Sequence, residues 1–376
     1  MTSHLARIDL LRGLAITLVL MHHYMLVFTH LGVRPELAAD LGSANAAFFV
    51  PHQLGYLGVS LFFVISGFCI HNSYLGWRRK TRVPTPGGFL LHYLNRRFWR
   101  IYPPYLLALL VAFLLVYSPV YDTRAWRHLA IHLTLGNTLS QAFFFNINAA
   151  FWSVAVEWQL YLIYPLVLWF SRHLGPVRAV LLATGIALFW RFALPALTDN
   201  WALIHLPFRW WFEWCLGFLL AEQRARGRIV VPRPALCTAV LLPSVVALYL
   251  LQAASFWTWL LTPLAFASLL QAACHSPRPL TRFERGLCTV GVSSYSMYLF
   301  HNPVLWVLRD LLGSFATQLP PWVVWIPLFL GVFALTQLLS SVLFRWIEQP
   351  SIRTGQYLER TRFPRWFPAL TASASS

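Results

Sequence analysis

Ten apolar runs, each near the ~20 residues that carry a helix across ~30 Å of hydrocarbon, most constrain what this chain can fold into. They fall at approximately 10–30, 54–75, 101–120, 151–171, 177–197, 205–222, 234–253, 255–274, 289–309 and 322–344. Lipid offers no partner to a bare N–H or C=O, so each run has to pair its backbone within itself. The expectation is an all-α, polytopic membrane protein with about ten transmembrane helices. Only 11% of the 376 residues are charged, against about 25% in a soluble domain. The seventh and eighth runs are separated by Ala254 alone, which predicts a tight hairpin.

A formal net charge of +17 would suit a nucleic-acid binder if the basic residues formed one patch. They lie instead between apolar runs, in the manner of cytoplasmic loops. With the N-terminus inside, they concentrate in 76–100, 172–178, 223–233, 275–288 and beyond 345. The outer side then holds only Arg34, Arg124, Arg127 and Arg309. This asymmetry puts both termini in the cytoplasm. Residues 1–353 read as one integral-membrane domain and 354–376 as a basic, disordered cytoplasmic tail. Phe89 to Arg100 read as a short interfacial amphipathic helix, which would bind either lipid head groups or a phosphorylated donor. The outer loop 121–150 would either cover a site or float at the interface. The five cysteines show no paired spacing and predict neither disulfides nor a metal site. The first run is too long for the core of a signal peptide and contains His22 and His23, so it reads as a retained span.

Ionisable groups inside spans are costly and usually line cavities. Arg12 and His23 in the first run are eleven residues apart, so they share one helix face about 16 Å apart along the axis. Arg12 alone could be an interfacial anchor. Depth counted from the run ends places His23, Glu157 and His301 together in the outer half of the bilayer, with Arg191, Arg209 and Glu213 in the same half. Arg209 and Glu213, spaced i,i+4, read as a structural ion pair. A histidine can act as a general base near neutral pH, with a carboxylate to orient it or relay its proton. Ser66-Gly67 in the second run reads mainly as a small-residue packing device, and less as a nucleophile.

Five blocks, in order, resemble the acyltransferase-3 family of integral-membrane acyltransferases. They are IDLLRGLAITLVLMHH, GVSLFFVISGF, RRFWRIYPPY, FWSVAVEWQLYLIYP and SYSMYLFHNPVL, the last followed by FRWIEQPSIR. The resemblance implies transfer of an acyl group, often acetyl, from cytoplasmic acyl-CoA to a hydroxyl of a glycan or lipid-linked sugar. It matches Arg12 and His23 to the family's essential arginine and histidine. Arg96, Arg97 and Arg100 match its cytoplasmic basic motif, and Ser66, Gly67 and Phe68 its small-residue motif. Trp152, Ser153 and Glu157 match the span-four motif, and Tyr295, Ser296 and His301 the span-nine motif. Trp158 stands where relatives often carry a second acidic residue, and His22 could share the role of His23. The esterase-like domain that some relatives carry is expected to be absent.

The implied assignment makes His23, Glu157 and His301 catalytic. Arg12, Arg96, Arg97, Arg100, Ser66, Trp152 and Ser153 would bind substrate. No metal and no tightly bound cofactor is expected; acyl-CoA, as acetyl-CoA, is the donor substrate. The partners are the glycan or lipid-linked sugar acceptor and membrane lipids, without nucleic acid, in a bacterial inner membrane. Alternatives are a covalent acyl-enzyme on His23 or Ser66, a transporter of a small solute or lipid-linked sugar, and a scaffold whose charges are structural.

Overall fold

The computed structural model describes residues 3–29, 43–80, 86–118, 122–251, 256–316 and 324–363, among which there is no strand. The helices are α1 (Ser3–Thr29), α2 (Ser43–Lys80), α3 (Pro86–Tyr117), α4 (Thr123–Leu133), α5 (Phe151–Leu174), α6 (Pro176–Leu188) and α7 (Trp211–Ala225). There follow α8 (Pro234–Leu250), α9 (Phe256–His275), α10 (Arg282–Val292), α11 (Ser294–Ala316), α12 (Phe329–Leu343) and α13 (Gln349–Thr361). Each of the ten expected runs overlaps one of these helices. By length and apolarity seven helical stretches can cross a membrane: Ala6–Val27, Leu54–Lys80, Gly87–Tyr117, Phe151–Leu174, Pro176–Ala196, Phe256–His275 and Ile326–Thr361. Pro234–Leu250 is a shorter apolar helix. The two remaining runs correspond to α7, which is short, and α11, whose apolarity is diluted by buried His301 and Asn302. The linker around Ala254 lies outside the described residues.

α1 is the hub. It packs against α2, α9, α10 and α11, while α2 packs against α7. Small residues let these backbones approach closely, as membrane helices require where no hydrophobic force drives them together. A side chain on Gly13 would strike the Leu287 carbonyl, and one on Gly291 the Asp9 carbonyl. Gly67 and Gly217 make the same reciprocal contact between α2 and α7, against the carbonyls of Trp214 and Val64. Residues such as Ala15, Ile16, Leu20 and Tyr24 are fully buried, whereas Leu114, Leu181 and Leu338 face outward, as lipid permits. Several polar groups within helices are satisfied locally: Thr17, Thr262, Thr336 and Ser340 each donate to the carbonyl four residues back. These carry no functional implication.

The helix ends sort onto two faces. On one, Arg7 donates to the Arg278 carbonyl and Cys288 to the Ala6 carbonyl. His71 binds Glu222 there, and His92 and Arg96 bind Glu359. This groups the start of α1, the ends of α2 and α7, the start of α3 and the C-terminal α13 on one face, in the arrangement the charge asymmetry predicts. α10 starts at a capping box in which Thr281 and Glu284 exchange hydrogen bonds. Arg278, then Thr281, hold the Glu284 carboxyl down to about 2.

Three expectations about this architecture are corrected. Phe89 to Arg100 are not a separate interfacial helix. They form the first turns of α3, which runs without a break through Pro103 and Pro104. The chain beyond 353 is helical to Thr361 and packs on α3: Asn95 donates to the Gly355 carbonyl at 2.8 Å, and Ser351 to that of Trp99 at 2.5 Å. Residues 364–376 lie outside the described residues. The segment 122–150, read as either covering a site or floating at the interface, is anchored to the bundle and does not float. Tyr102 and Tyr105 donate to the carbonyls of Leu133 and His132, and Phe144 and Asn148 are buried. Burial lowers the His132 imidazole to about 4. Ile147, a β-branched residue, takes a φ of 65° beside Asn148, a strained conformation that the surrounding packing has to hold.

Gly217→Val should place methyl groups against the Val64 backbone and lower stability by roughly 1–3 kcal/mol or more. Gly76, on α2, is the control, because a side chain there would meet nothing within 4 Å. Gly76→Ala should leave the melting temperature of the purified protein unchanged or raise it. Equal melting of the two variants would contradict the close α2–α7 crossing.

Candidate active site

A cavity lies between α1, α2, α3, α5 and α11. Three arginines line it: Arg12, Arg97 and Arg100. Arg12 donates to Asp9 at 3.0 Å and toward the Cys69 sulfur at 3.4 Å. The Arg97 guanidinium lies 5.9 Å from the Tyr161 ring centroid, and its Nε is buried with no partner. Ser66 and Glu157 also line the cavity, Ser66 Oγ donating to Glu157 Oε1 at 2.9 Å. The Tyr161 hydroxyl donates to the same carboxylate oxygen. The arrangement combines positive charge with a buried hydroxyl–carboxylate–phenol group, which suits a ligand with an anionic end and a polar reactive end.

At the far side the cavity meets Ser153 and Tyr298. The Tyr298 hydroxyl donates to the Ala150 carbonyl at 3.1 Å and lies 2.5 Å from Ser153 Oγ. The Tyr298 ring is 5.6 Å from that of His301, and the His301 ring is 4.7 Å from that of His23. His23 Nδ1 lies 3.0 Å from the Val19 carbonyl and His301 Nδ1 2.7 Å from the Tyr298 carbonyl. A carbonyl only accepts, so each Nδ1 carries a proton in the neutral ring and each Nε2 keeps its lone pair. His301 is fully buried and its Nε2 has no partner. Two imidazoles this close disfavour double protonation, so the pair is suited to accept a single proton.

The structure therefore joins His23 to His301 but separates Glu157 from the depth expected for it beside them. Gly55 on α2 abuts His22, and Ser66 lies eleven residues farther along α2, about 16 Å at 1.5 Å per residue. Glu157, bonded to Ser66, shares the cavity with Arg12 and Arg97. Depth counted from the edges of apolar runs does not locate Glu157. Arg96 also differs from expectation: it is engaged by Glu359 at 2.9 Å and does not line the cavity. Trp152 belongs to an outer aromatic cluster, 5.5 Å from Trp210 and 6.2 Å from Phe144. His22 packs edge-on to His23 at 5.2 Å. The expected Arg209–Glu213 ion pair does not form. Arg209 lies in a 3₁₀ turn, Pro207–Trp210, and α7 starts only at Trp211, so the i,i+4 rule for one helix does not apply. Arg209 Nε and Glu213 Oε2 are both buried without partners.

Sequence reasoning assigned no role to Glu348. It is 2% exposed, sits in the π-helical turn Phe344–Glu348 and accepts from Ser296 Oγ at 2.7 Å. Arg100 and Arg12 lie close enough to act on it electrostatically. The signal was available: an isolated acidic residue directly after the tenth run, within FRWIEQPSIR. Among the described residues no cluster of His, Cys, Asp and Glu could hold a metal ion.

A bundle of apolar helices around an arginine-lined cavity, capped by paired histidines, defines a polytopic membrane protein built for polar chemistry inside the bilayer. Residues 5–341 match the family described as an acyltransferase domain, and the chain belongs to that family, acyltransferase-3. It is 23% identical over 335 residues to the O-acetyltransferase OatA of Staphylococcus aureus, covering 80% of this chain and 53% of the relative. It is 27% identical over 344 residues to the acyltransferase MdmB of Streptomyces mycarofaciens, covering 80% of this chain and 81% of the relative. The chain thus spans about half the length of OatA. No solved structure matches it.

Replacing Glu348 with leucine should remove the carboxylate that Arg100 and Arg12 act on and leave Ser296 Oγ without its acceptor, at a cost of about 1–3 kcal/mol. Ser296→Ala, which removes one hydrogen bond, should cost about 1 kcal/mol. Denaturant titration of the purified protein in mixed micelles measures both. Equal small losses would show that the Glu348 charge is not what the arginines depend on.

Proposed function

We propose that this protein is a membrane O-acyltransferase that moves an acyl group, acetyl in the simplest case, from cytoplasmic acyl-CoA to a hydroxyl of a cell-envelope glycan or lipid-linked sugar. The setting is a bacterial inner membrane. The observation that carries the reading is the continuity from the arginine-lined cavity, through Tyr298, to the His23–His301 pair. Acyl-CoA has a phosphorylated end and a thioester end joined by a long thin arm. Arg12, Arg97 and Arg100 suit the phosphates by charge-assisted hydrogen bonds. The OatA and MdmB matches support the transfer class. No tightly bound cofactor is required.

In the proposed reaction the acceptor oxygen attacks the thioester carbonyl while His23 Nε2 takes its proton. His301 holds the second imidazole alongside. The C–S bond breaks, the CoA thiolate leaves and recovers a proton from the histidine pair, and the new ester leaves with the acceptor. Ser66, with Glu157 and Tyr161, forms a hydrogen-bonding wall for the donor arm. Ser153 fixes Tyr298 between the donor and the base.

Labelled acetyl-CoA and membrane vesicles test this. His23→Gln and His301→Gln should each lower the turnover of acyl transfer by roughly 10²–10⁴-fold, the range of general-base catalysis. Arg97→Gln should raise KM for acetyl-CoA about tenfold, whereas Arg96→Gln, whose guanidinium serves Glu359, should change it less than about twofold. Full turnover by the His23 variant would remove the proposed base. Solute uptake by vesicles without acetyl-CoA consumption would favour the transporter reading instead.

A further inference from the structure

The outer face carries a second concave site that the proposed reaction does not use. Asp122, Thr123, Arg124, Arg127, His128, Ala142 and Phe143 line an open cleft between the start of α4 and the following loop. Outward-facing basic residues are depleted in membrane proteins, and among the described residues between spans only Arg124, Arg127 and Arg309 lie in segments that the charge asymmetry assigns to that side. Arg309 is paired with Asp310. Arg124 and Arg127 share this one cleft, and among the described residues neither has a carboxylate within salt-bridge distance. Asp122 also faces the cleft, but its Oδ1 is committed to the Ala125 N–H at 2.7 Å as the cap of α4. His128, which forms the cleft's inner wall, is 3% exposed and is held by Asn146 at 3.0 Å and by the Phe143 ring at 5.1 Å. Trp126 is 54% exposed on the same helix, 5.6 Å from Phe113 of α3. An exposed tryptophan beside a spanning helix marks the level of the lipid head groups.

We propose that this cleft binds the phosphate or diphosphate of an outer-leaflet lipid through Arg124 and Arg127. Two guanidinium groups suit such an anion better than a neutral hydroxyl compound, because they form paired, charge-assisted hydrogen bonds to phosphate oxygens. The cleft is also joined to the histidines by a short stretch of chain. Its wall continues from Phe143 through Asn146 to Asn148, whose Oδ1 accepts from Asn302 at 2.8 Å, and Asn302 adjoins His301. Five residues from Phe143 to Asn148 reach at most about 18 Å, a span of the order of a diphosphate with one or two attached sugars. Use of the site by an acceptor rests on the acyl-transfer reading and selects a lipid-linked sugar over a neutral small molecule. Binding itself does not depend on that reading.

The purified full-length protein is titrated, without acyl-CoA, with farnesyl diphosphate, farnesol and short-chain phosphatidylglycerol. Farnesyl diphosphate should bind, farnesol should bind at least about tenfold more weakly, and added salt should weaken the diphosphate alone. The double variant Arg124→Gln/Arg127→Gln should lose about tenfold or more of that affinity while melting at the wild-type temperature. Arg124→Lys/Arg127→Lys should keep part of it, and Arg309→Gln all of it. Preference for the diphosphate over phosphatidylglycerol would identify a carrier lipid, and equal binding a general head-group site. Either result supports the phosphate site. Equal affinity for farnesol, no binding of either phosphate probe, or undiminished binding by the Gln variant would overturn it. Phosphate binding by a wild-type protein that transfers no acyl group from acetyl-CoA would refute the acyl-transfer reading alone.

Discussion

Charge inside a bilayer has to be answered by charge, and that constraint organises the inner half of this protein. Arg12, Arg97 and Arg100 line one cavity. Asp9 answers Arg12 directly, and Glu348 lies within reach of Arg12 and Arg100 from below. Glu157 is occupied by Ser66 and Tyr161, which leaves Arg97 with a buried Nε and only an aromatic face beside it. A buried guanidinium N–H without an acceptor is costly unless a ligand supplies one. The open Arg97 Nε is therefore a local reason to expect an anion in this cavity.

The arginines hold their places only because the helices carrying them cannot slide. Gly13 and Gly291 lock α1 to α10, and Gly67 and Gly217 lock α2 to α7, each with a backbone carbonyl seated where a side chain would be. Such crossings fix register more firmly than interdigitated side chains, since backbone cannot repack. α13 adds an outside brace: Glu359 holds His92 and Arg96, and Gly355 accepts from Asn95. Arg96 thus serves the scaffold, and it frees its neighbour Arg97, on another side of the same helix, to face the cavity.

The apolar helices and several of the residues that meet around the cavity were legible in the sequence, because hydropathy reports on the solvent directly. Arg12, Arg97, Arg100 and Ser66 do meet in one cavity, and His23 does meet His301. Glu157 was misplaced because depth was counted from the edges of apolar runs, and these are not the helix ends: α2 and α3 each begin well before their runs. Arg209 and Glu213 failed for a different reason: a 3₁₀ turn between them changes which faces align. Neither the π turn that buries Glu348 nor the strained Ile147 beside Asn148 has a period that a pattern search detects.

On the proposed reading, a tyrosine between the base and the donor cavity has a chemical rationale. A thioester beside an unguarded histidine and water would hydrolyse, and closed sites prevent such side reactions by excluding water. Tyr298 is tethered on the cavity side by Ser153 and the Ala150 carbonyl, while its own carbonyl fixes the His301 tautomer. Movement of this one residue would therefore change access to the histidines and the orientation of His301 together. On the proposed reading, one side chain thereby governs both the approach of the thioester and the tautomer of the second imidazole.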